Sequence, residues 1–383
     1  MFSITKFFGK VNKLMERKFL ITSIFITLGA IAFLSGYLLM PQTDLRPTTH
    51  NQQHLTKQVG SLIDRFNNKV EVGSSKGKIP NTLPLSSRKF ITFVQPFTDS
   101  KKVVAIANNG DFVEIDLVNL IEKMVYTDQT GIVEAILSPS GNSVIYSFYD
   151  VKNNKKWVYL NLKSGESTEI EGNLRSAAFS PDGSQAAYLI SRSLASGNEG
   201  ELLIAKDGKI IKRTLKTRIG AAILSWPSDN FMSMIAYDKS GYGDLFTLKG
   251  VGVLDKIISY QYDLNVKWSP AGERVIFSAK DDNGFTQLLY KDIENSGTAV
   301  ALDVDTNTSK CVWANEEEII CGLKNQTQIK DEFYKINLTG DSKTLVATPD
   351  INLLTKELAL SRSGDALFVL NDIDGKLYVL KIK

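Results

Sequence analysis

The sequence predicts an all-β fold: a β-propeller, most readily seven blades of four antiparallel strands, preceded by a single transmembrane helix and a short helical linker. Three observations carry this. A turn-and-strand text recurs with a period near 43 residues through most of the 383-residue chain. Residues 19–40 hold no charged side chain over 22 positions. Between the two lies a stretch rich in Pro, Gly, Ser and Lys, the composition of a linker.

The charge balance narrows the function classes. Lys and Arg number 45 against 42 Asp and Glu. Residues 1–18 alone carry five cations (Lys6, Lys10, Lys13, Arg17, Lys18) against Glu16, so the other residues net about −1. A chain whose folded part is near neutral is no general nucleic-acid binder. With 43% hydrophobic and 9% aromatic residues it can bury a core, which excludes general disorder. Two His and two Cys exclude a disulfide-dense scaffold and most Cys/His metal sites, and no cofactor is expected.

In residues 1–18, Ile4, Phe7, Phe8, Val11, Leu14 and Met15 recur at helical spacing with lysines between them, a basic amphipathic segment suited to an anionic inner leaflet. The apolar run at 19–40 is long enough to cross about 30 Å of hydrocarbon and longer than a signal-peptide core. An uncleaved anchor is expected. Five cations before it, and only Arg46 and Lys57 in the twenty residues after it, place the N-terminus in the cytoplasm and the rest of the chain outside the cell membrane. Residues 41–85 are the linker. Within it, Leu55, Val59, Leu62, Ile63, Phe66 and Val70 form one apolar stripe, which predicts a helix over about 52–70. His50 and His54 share this region at i, i+4, but without an acidic or Cys partner they read as solvated residues.

From 86 to 383 the repeats begin. Leu137-Ser138-Pro139-Ser140-Gly141, Phe179-Ser180-Pro181-Asp182-Gly183, Trp268-Ser269-Pro270-Ala271-Gly272 and Leu360-Ser361-Arg362-Ser363-Gly364 each precede an alternating apolar run. Weaker copies lie at Pro96, Pro227 and Ala314, and the marker gaps are 43, 42, 46, 43, 44 and 48. Proline presets φ at the first turn position, Asp or Ser bonds the local backbone, and Gly accepts positive φ where the chain reverses. One complete unit reads as strands at 174–180, 185–191, 201–205 after a polar loop, and 210–215. Four short antiparallel strands per period make a propeller blade, and the 298 residues of 86–383 divided by seven give about 43.

The Ser-Pro-Asp-Gly turn followed by an apolar strand resembles the TolB-type propeller repeat, a WD-repeat-like architecture that here lacks the Gly-His and Trp-Asp signatures. The resemblance covers 86–383. TolB itself carries a separate N-terminal domain, for which 41–85 leaves no room. The resemblance implies a protein-interaction scaffold outside the cytoplasm and brings no catalytic residues.

No Gly-x-Ser-x-Gly occurs and no His follows His54, so the propeller cannot build a Ser-His-Asp triad. Carboxylates such as Asp182, Asp207, Asp244, Asp281, Asp282, Glu316, Glu317, Asp372 and Asp374 sit in turn-like sequence rather than in evident acid/base pairs. The stretch at Asp303, Asp305 and Asn307 begins like a calcium loop, but Thr308 and Ala314 stand where Gly and Glu are required, so no metal is expected there. Trp226, Trp268 and Trp313 recur just before the turns and read as inter-blade core. Together with Trp157, Tyr146, Tyr149, Tyr188, Tyr237, Tyr260 and Tyr262 they could alternatively supply a sugar- or peptide-stacking platform. Connections 193–200 and 237–243 are the expected partner-binding segments.

The expectation is therefore a non-enzymatic, membrane-anchored extracytoplasmic propeller that binds an envelope protein or polymer; the alternative is a carbohydrate-binding, carbohydrate-active or sensory propeller. Two structural expectations follow. The last blade lacks an outer strand, which residues near 79–85 should supply. If strands of the sixth blade pair about Glu316, opposed residue numbers sum to 632, which sets Cys311 opposite Cys321 as a cross-strand disulfide.

Overall fold

The computed structural model describes residues 81–127, 131–194, 197–249, 252–293, 297–340 and 342–382. The expected basic segment at 1–18, the apolar run at 19–40, the helix at 52–70 and both histidines lie outside the described residues. Among the described residues no helix is long and apolar enough to cross a membrane.

These residues form strands throughout, with one 3-10 turn at Thr308–Lys310. The strands group into six antiparallel sheets, five of four strands and one of seven. The unit read most fully from sequence appears as Asn173–Phe179, Ala186–Leu194, Gly197–Lys206 and Lys209–Thr217, in that spatial order. One expectation is corrected here: residues 193–194 and 197–200, expected in a polar loop, are strand. The two central strands extend as a hairpin that pairs Ser191 with Gly200 and Arg192 with Glu199. Continuing the ladder satisfies backbone groups that a loop would leave to solvent. Gly200 permits it, because a Cβ there would lie 2.0 Å from the Ile219 carbonyl oxygen.

The repeat turns share one construction. Gly141, Gly183, Gly272 and Gly364 hold φ of 68°, 68°, 77° and 74°. Their N–H groups donate to the carbonyls of Ser138, Ser180, Ser269 and Ser361 at 2.8–2.9 Å. Each of those four serines is buried, and its hydroxyl accepts the N–H five residues on (Ser143, Gln185, Arg274 and Ala366) at 3.0–3.1 Å. The serine thus ties the end of one strand to the start of the next and pairs a backbone donor at the reversal. Pro139, Pro181 and Pro270 follow it, where no N–H is needed.

Consecutive sheets pack face to face through the apolar side of each strand. Ile145, Tyr159, Phe179 and Tyr188 form one such inter-sheet cluster. Trp268 and Trp313 are buried; the first bonds within the seven-stranded sheet and the second across to the neighbouring sheet. The Trp268 indole donates to the Ser233 hydroxyl at 2.9 Å, and the Trp313 indole donates to the Lys267 carbonyl at 3.2 Å. Both belong to core, as does Trp157, while Trp226 is half-buried.

Ring closure joins the two ends of the described chain. Thr82–Pro84 pairs antiparallel with Leu377–Lys381, setting Thr82 against Leu380 and Pro84 against Tyr378. It is the outermost strand of that sheet, the one place where Pro84 costs no ladder bond. Arg362 N–H donates to Gln95 Oε1 at 3.0 Å across the same seam. In the sheet of Cys311–Trp313, Cys311 opposes Cys321, Val312 opposes Ile320 and Trp313 opposes Ile319. The two cysteines are disulfide-bonded, with Cα atoms 4.1 Å apart.

Candidate functional site: an aromatic platform on the loop face

Strands consecutive in the chain are neighbours within the sheets and pair antiparallel, so alternate connections emerge at opposite ends. The Ser-Pro turns take one end. The second-to-third-strand loops and the crossovers to the next inner strand take the other. That second face carries exposed apolar side chains: Tyr149 (51%), Phe285 (65%), Ile329 (64%) and, most densely, a tyrosine cluster built around Tyr260 (65%).

The cluster sits on the middle strand of the seven-stranded sheet. Leu254–Trp268 pairs with Tyr242–Lys249 along its first part and with Arg274–Lys280 along its second, and Tyr262 pairs with both Tyr242 and Lys280. Two irregularities flank this point, at Gly243/Leu245 and Tyr262/Asn265. There Tyr260 and Asp263 hold φ of 54° and 55°, conformations that cost a non-glycine residue about 1–3 kcal/mol each. The first bulge turns the Tyr260 ring onto Tyr242, stacked at 4.1 Å with 5° between the planes. Tyr262 also meets the Tyr242 ring, tilted, at 5.3 Å. The Gly-Tyr-Gly sequence beneath leaves room for the rings. A Cβ at Gly241 would meet the Tyr262 ring at 3.0 Å, and one at Gly243 would meet Tyr237 at 3.0 Å.

Charges lock the bulge. Tyr260 N–H donates to Asp244 Oδ1 at 2.8 Å and Lys256 Nζ to Oδ2 at 2.5 Å. Burial pushes the Asp244 carboxyl up, but those two bonds and the Lys256 charge outweigh it and hold the group below the ordinary range. Lys280 pairs with Asp263 at 2.9 Å and lies 6.0 Å from the Tyr262 ring centroid. Tyr237 anchors the second bulge by donating its hydroxyl to the Leu264 carbonyl, and burial raises its phenol. The result is a rigid ring stack with neutralised charges around it, suited to contact with a partner's apolar or planar groups.

The innermost strands hold a second polar feature. Lys267 Nζ donates to the Cys311 carbonyl at 2.6 Å, and the Thr92 hydroxyl donates to Glu357 at 3.0 Å. Each bond bridges two sheets. Both side chains are half-buried by area yet closely ringed by protein. Burial lowers the Lys267 ammonium against the pull of Glu357, and burial raises Glu357 against Thr92 and Lys267. Among the described residues no group of three or more His, Cys, Asp or Glu side chains is placed to hold a metal ion.

The residues singled out from sequence fall into separate places. Ser138, Pro139, Gly141 and their counterparts at 180–183, 269–272 and 361–364 lie on the turn face, away from the tyrosines, and their bonds serve folding. Cys311 and Cys321 are in the core. Connection 237–243 does form the site. Tyr260, Tyr262 and Tyr237 join it, whereas Tyr146 and Tyr188 are buried. Tyr242 was not singled out; its signal was the flanking Gly241 and Gly243.

No protein-family model matches the chain, and no curated protein matches it. Solved structures do. An oligogalacturonate lyase in complex with manganese is 12% identical, with TM-score 0.57, covering 81% of this chain and 95% of that one. Pyrococcus horikoshii acylaminoacyl peptidase is 12% identical, with TM-score 0.52, covering 74% and 49%. TolB from Acinetobacter baumannii is 15% identical, covering 61% and 58% at TM-score 0.41, too low to add weight. The chain thus spans about half the length of the peptidase and 58% of TolB. The chain folds as a β-propeller. The expectation of a non-enzyme is corrected: two proteins that share the fold are a lyase and a peptidase, so neither the architecture nor the missing triad excludes catalysis. At this identity no catalytic residue transfers.

Proposed function

We propose that the chain is a single-pass, membrane-anchored extracytoplasmic propeller that engages an envelope protein through the face bearing Tyr242, Tyr260 and Tyr262. The observation that carries this reading is the Tyr242–Tyr260 stack. An exposed aromatic ring held on a strained bulge contributes little to folding, and aromatic anchors on rigid supports are what protein interfaces use. The anchor reading is supported by the uncharged stretch at 19–40 and the cations before it. A seven-blade count is supported by the seven-stranded sheet, which divides into two four-stranded blades that share Leu254–Trp268.

The test is site-specific photocrosslinking in the native membrane, with the crosslinker at 260, at 285 and, on the turn face, at 182. The expected result is one adduct from 260 and 285, none from 182, and loss of the 285 adduct in Tyr262→Ala. Adducts from the turn face only, or adducts with an envelope polysaccharide in place of a protein, would overturn it. Protease added to spheroplasts should remove the propeller; its protection would overturn the orientation.

A further inference from the structure

We propose that the outer edge of the third sheet, strand Lys209–Thr217, docks flat on an anionic lipid surface. This strand is the free edge of its sheet. Residues 206–218 hold Lys206, Lys209, Lys212, Arg213, Lys216 and Arg218 against one acid, Asp207, a surplus of five on a chain that beyond residue 18 nets about −1. Arg213 is committed to Glu201 at 2.8 Å, an otherwise buried carboxylate that Arg192 also meets at 2.8 Å. The other five cations are exposed and, among the described residues, form no ion pair. Other outer strands carry no such run: Ile121–Thr127 has Lys123 alone and Lys343–Ala347 has Lys343 alone.

Lysine on a sheet edge also discourages strand addition, and that role explains one or two charges. It does not explain Ile210 and Ile211, which stand 48% and 56% exposed between Lys209 and Lys212. An apolar pair flanked by lysines is suited to a headgroup layer, with the isoleucines entering and the ammonium groups meeting phosphates. An added peptide strand is disfavoured by the irregular ladder: register shifts at Leu202/Leu203 and Ile204/Ala205 leave Ile211 and Thr214 unmatched, which bends and twists the edge. A soluble polyanion would satisfy the charges but leave the isoleucines in water. A bilayer is close at hand on the anchor reading, on which this inference rests, because the apolar run ends 41 residues before Asn81.

The full chain is reconstituted in vesicles with an environment-sensitive dye on Ile210→Cys; Cys311 and Cys321 are buried and bonded to each other. In phosphatidylglycerol-containing vesicles the emission should shift to the blue and be quenched by lipid-borne nitroxide, and high salt should reverse both. In pure phosphatidylcholine neither should occur. Each cation near an anionic surface contributes about fivefold to docking. Lys209→Gln/Lys212→Gln/Lys216→Gln should therefore lower the docked-to-undocked ratio on the order of a hundredfold, with unchanged melting. Equal signals in both lipids, no signal in either, or a blue shift produced in phosphatidylcholine vesicles by added polyphosphate would overturn the proposal. Failure of the anchor reading shows separately: carbonate would strip the protein from the vesicles, while protein added from outside would still respond to anionic lipid.

Discussion

Removing the Cys311–Cys321 bond tests the register and the compartment together. The bond closes a sequence separation of 10 residues, and cross-linking so short a loop withdraws about 2.7 kcal/mol of conformational freedom from the unfolded chain at 25 °C. A propeller of about 300 residues unfolds with an entropy near 0.6 kcal/mol/K, so the loss corresponds to a fall in Tm of about 4 °C. Both sulfurs are fully buried, and truncating either adds a small packing loss. The assay is a double-mutant cycle read by calorimetry. Cys311→Ala should lose the 4 °C, Cys321→Ala should lose about the same, and the double variant should fall little further, because the bond can be lost only once. Additive losses, or single variants that melt within a degree of wild type, would refute the reasoning. Two free thiols in non-reducing mass spectrometry of the native protein would refute both the bond and the extracytoplasmic placement.

Three further outcomes follow from the geometry. Gly200→Ala should destabilise by about 1–3 kcal/mol, since a Cβ 2.0 Å from the Ile219 carbonyl forces the backbone apart; an unchanged denaturant midpoint would mean the hairpin relaxes freely. Deleting 82–86 should lower Tm by several degrees, because Thr82–Pro84 seals the last sheet, and an unaltered melt would show closure made elsewhere. Burial raises the Glu357 carboxyl above the ordinary carboxylate range; a group raised on folding contributes stability that is full below its unfolded pKa and lost as pH rises through the folded one. Glu357→Gln should therefore gain on wild type between acid and neutral pH in paired melts, whereas a pH-independent difference would count against this.

What the sequence determined by itself was local and periodic. The Ser-Pro-Asp-Gly turns could be read because proline, a short polar side chain and a glycine at positive φ are demanded by a tight reversal wherever it lies. Their spacing near 43 residues followed from the fixed size of a four-stranded blade. The Cys311–Cys321 pairing was legible because antiparallel register is set by counting outward from one turn. Closure by the N-terminal strand was legible because the last repeat is a strand short. Tertiary structure decided the rest. Whether a tyrosine is core or surface depends on which face of which strand it occupies, and a single bulge reverses that alternation, so Tyr188 and Tyr260 look alike in the text and lie in opposite environments. The ladder that pairs Ser191 with Gly200 and Arg192 with Glu199 continues because Gly200 lets another segment's carbonyl approach, a contact across 19 residues that no local pattern records. The Tyr242–Tyr260 stack needs two strands, two glycines and a left-handed residue brought together in the middle of the seven-stranded sheet, and only the folded chain brings them there.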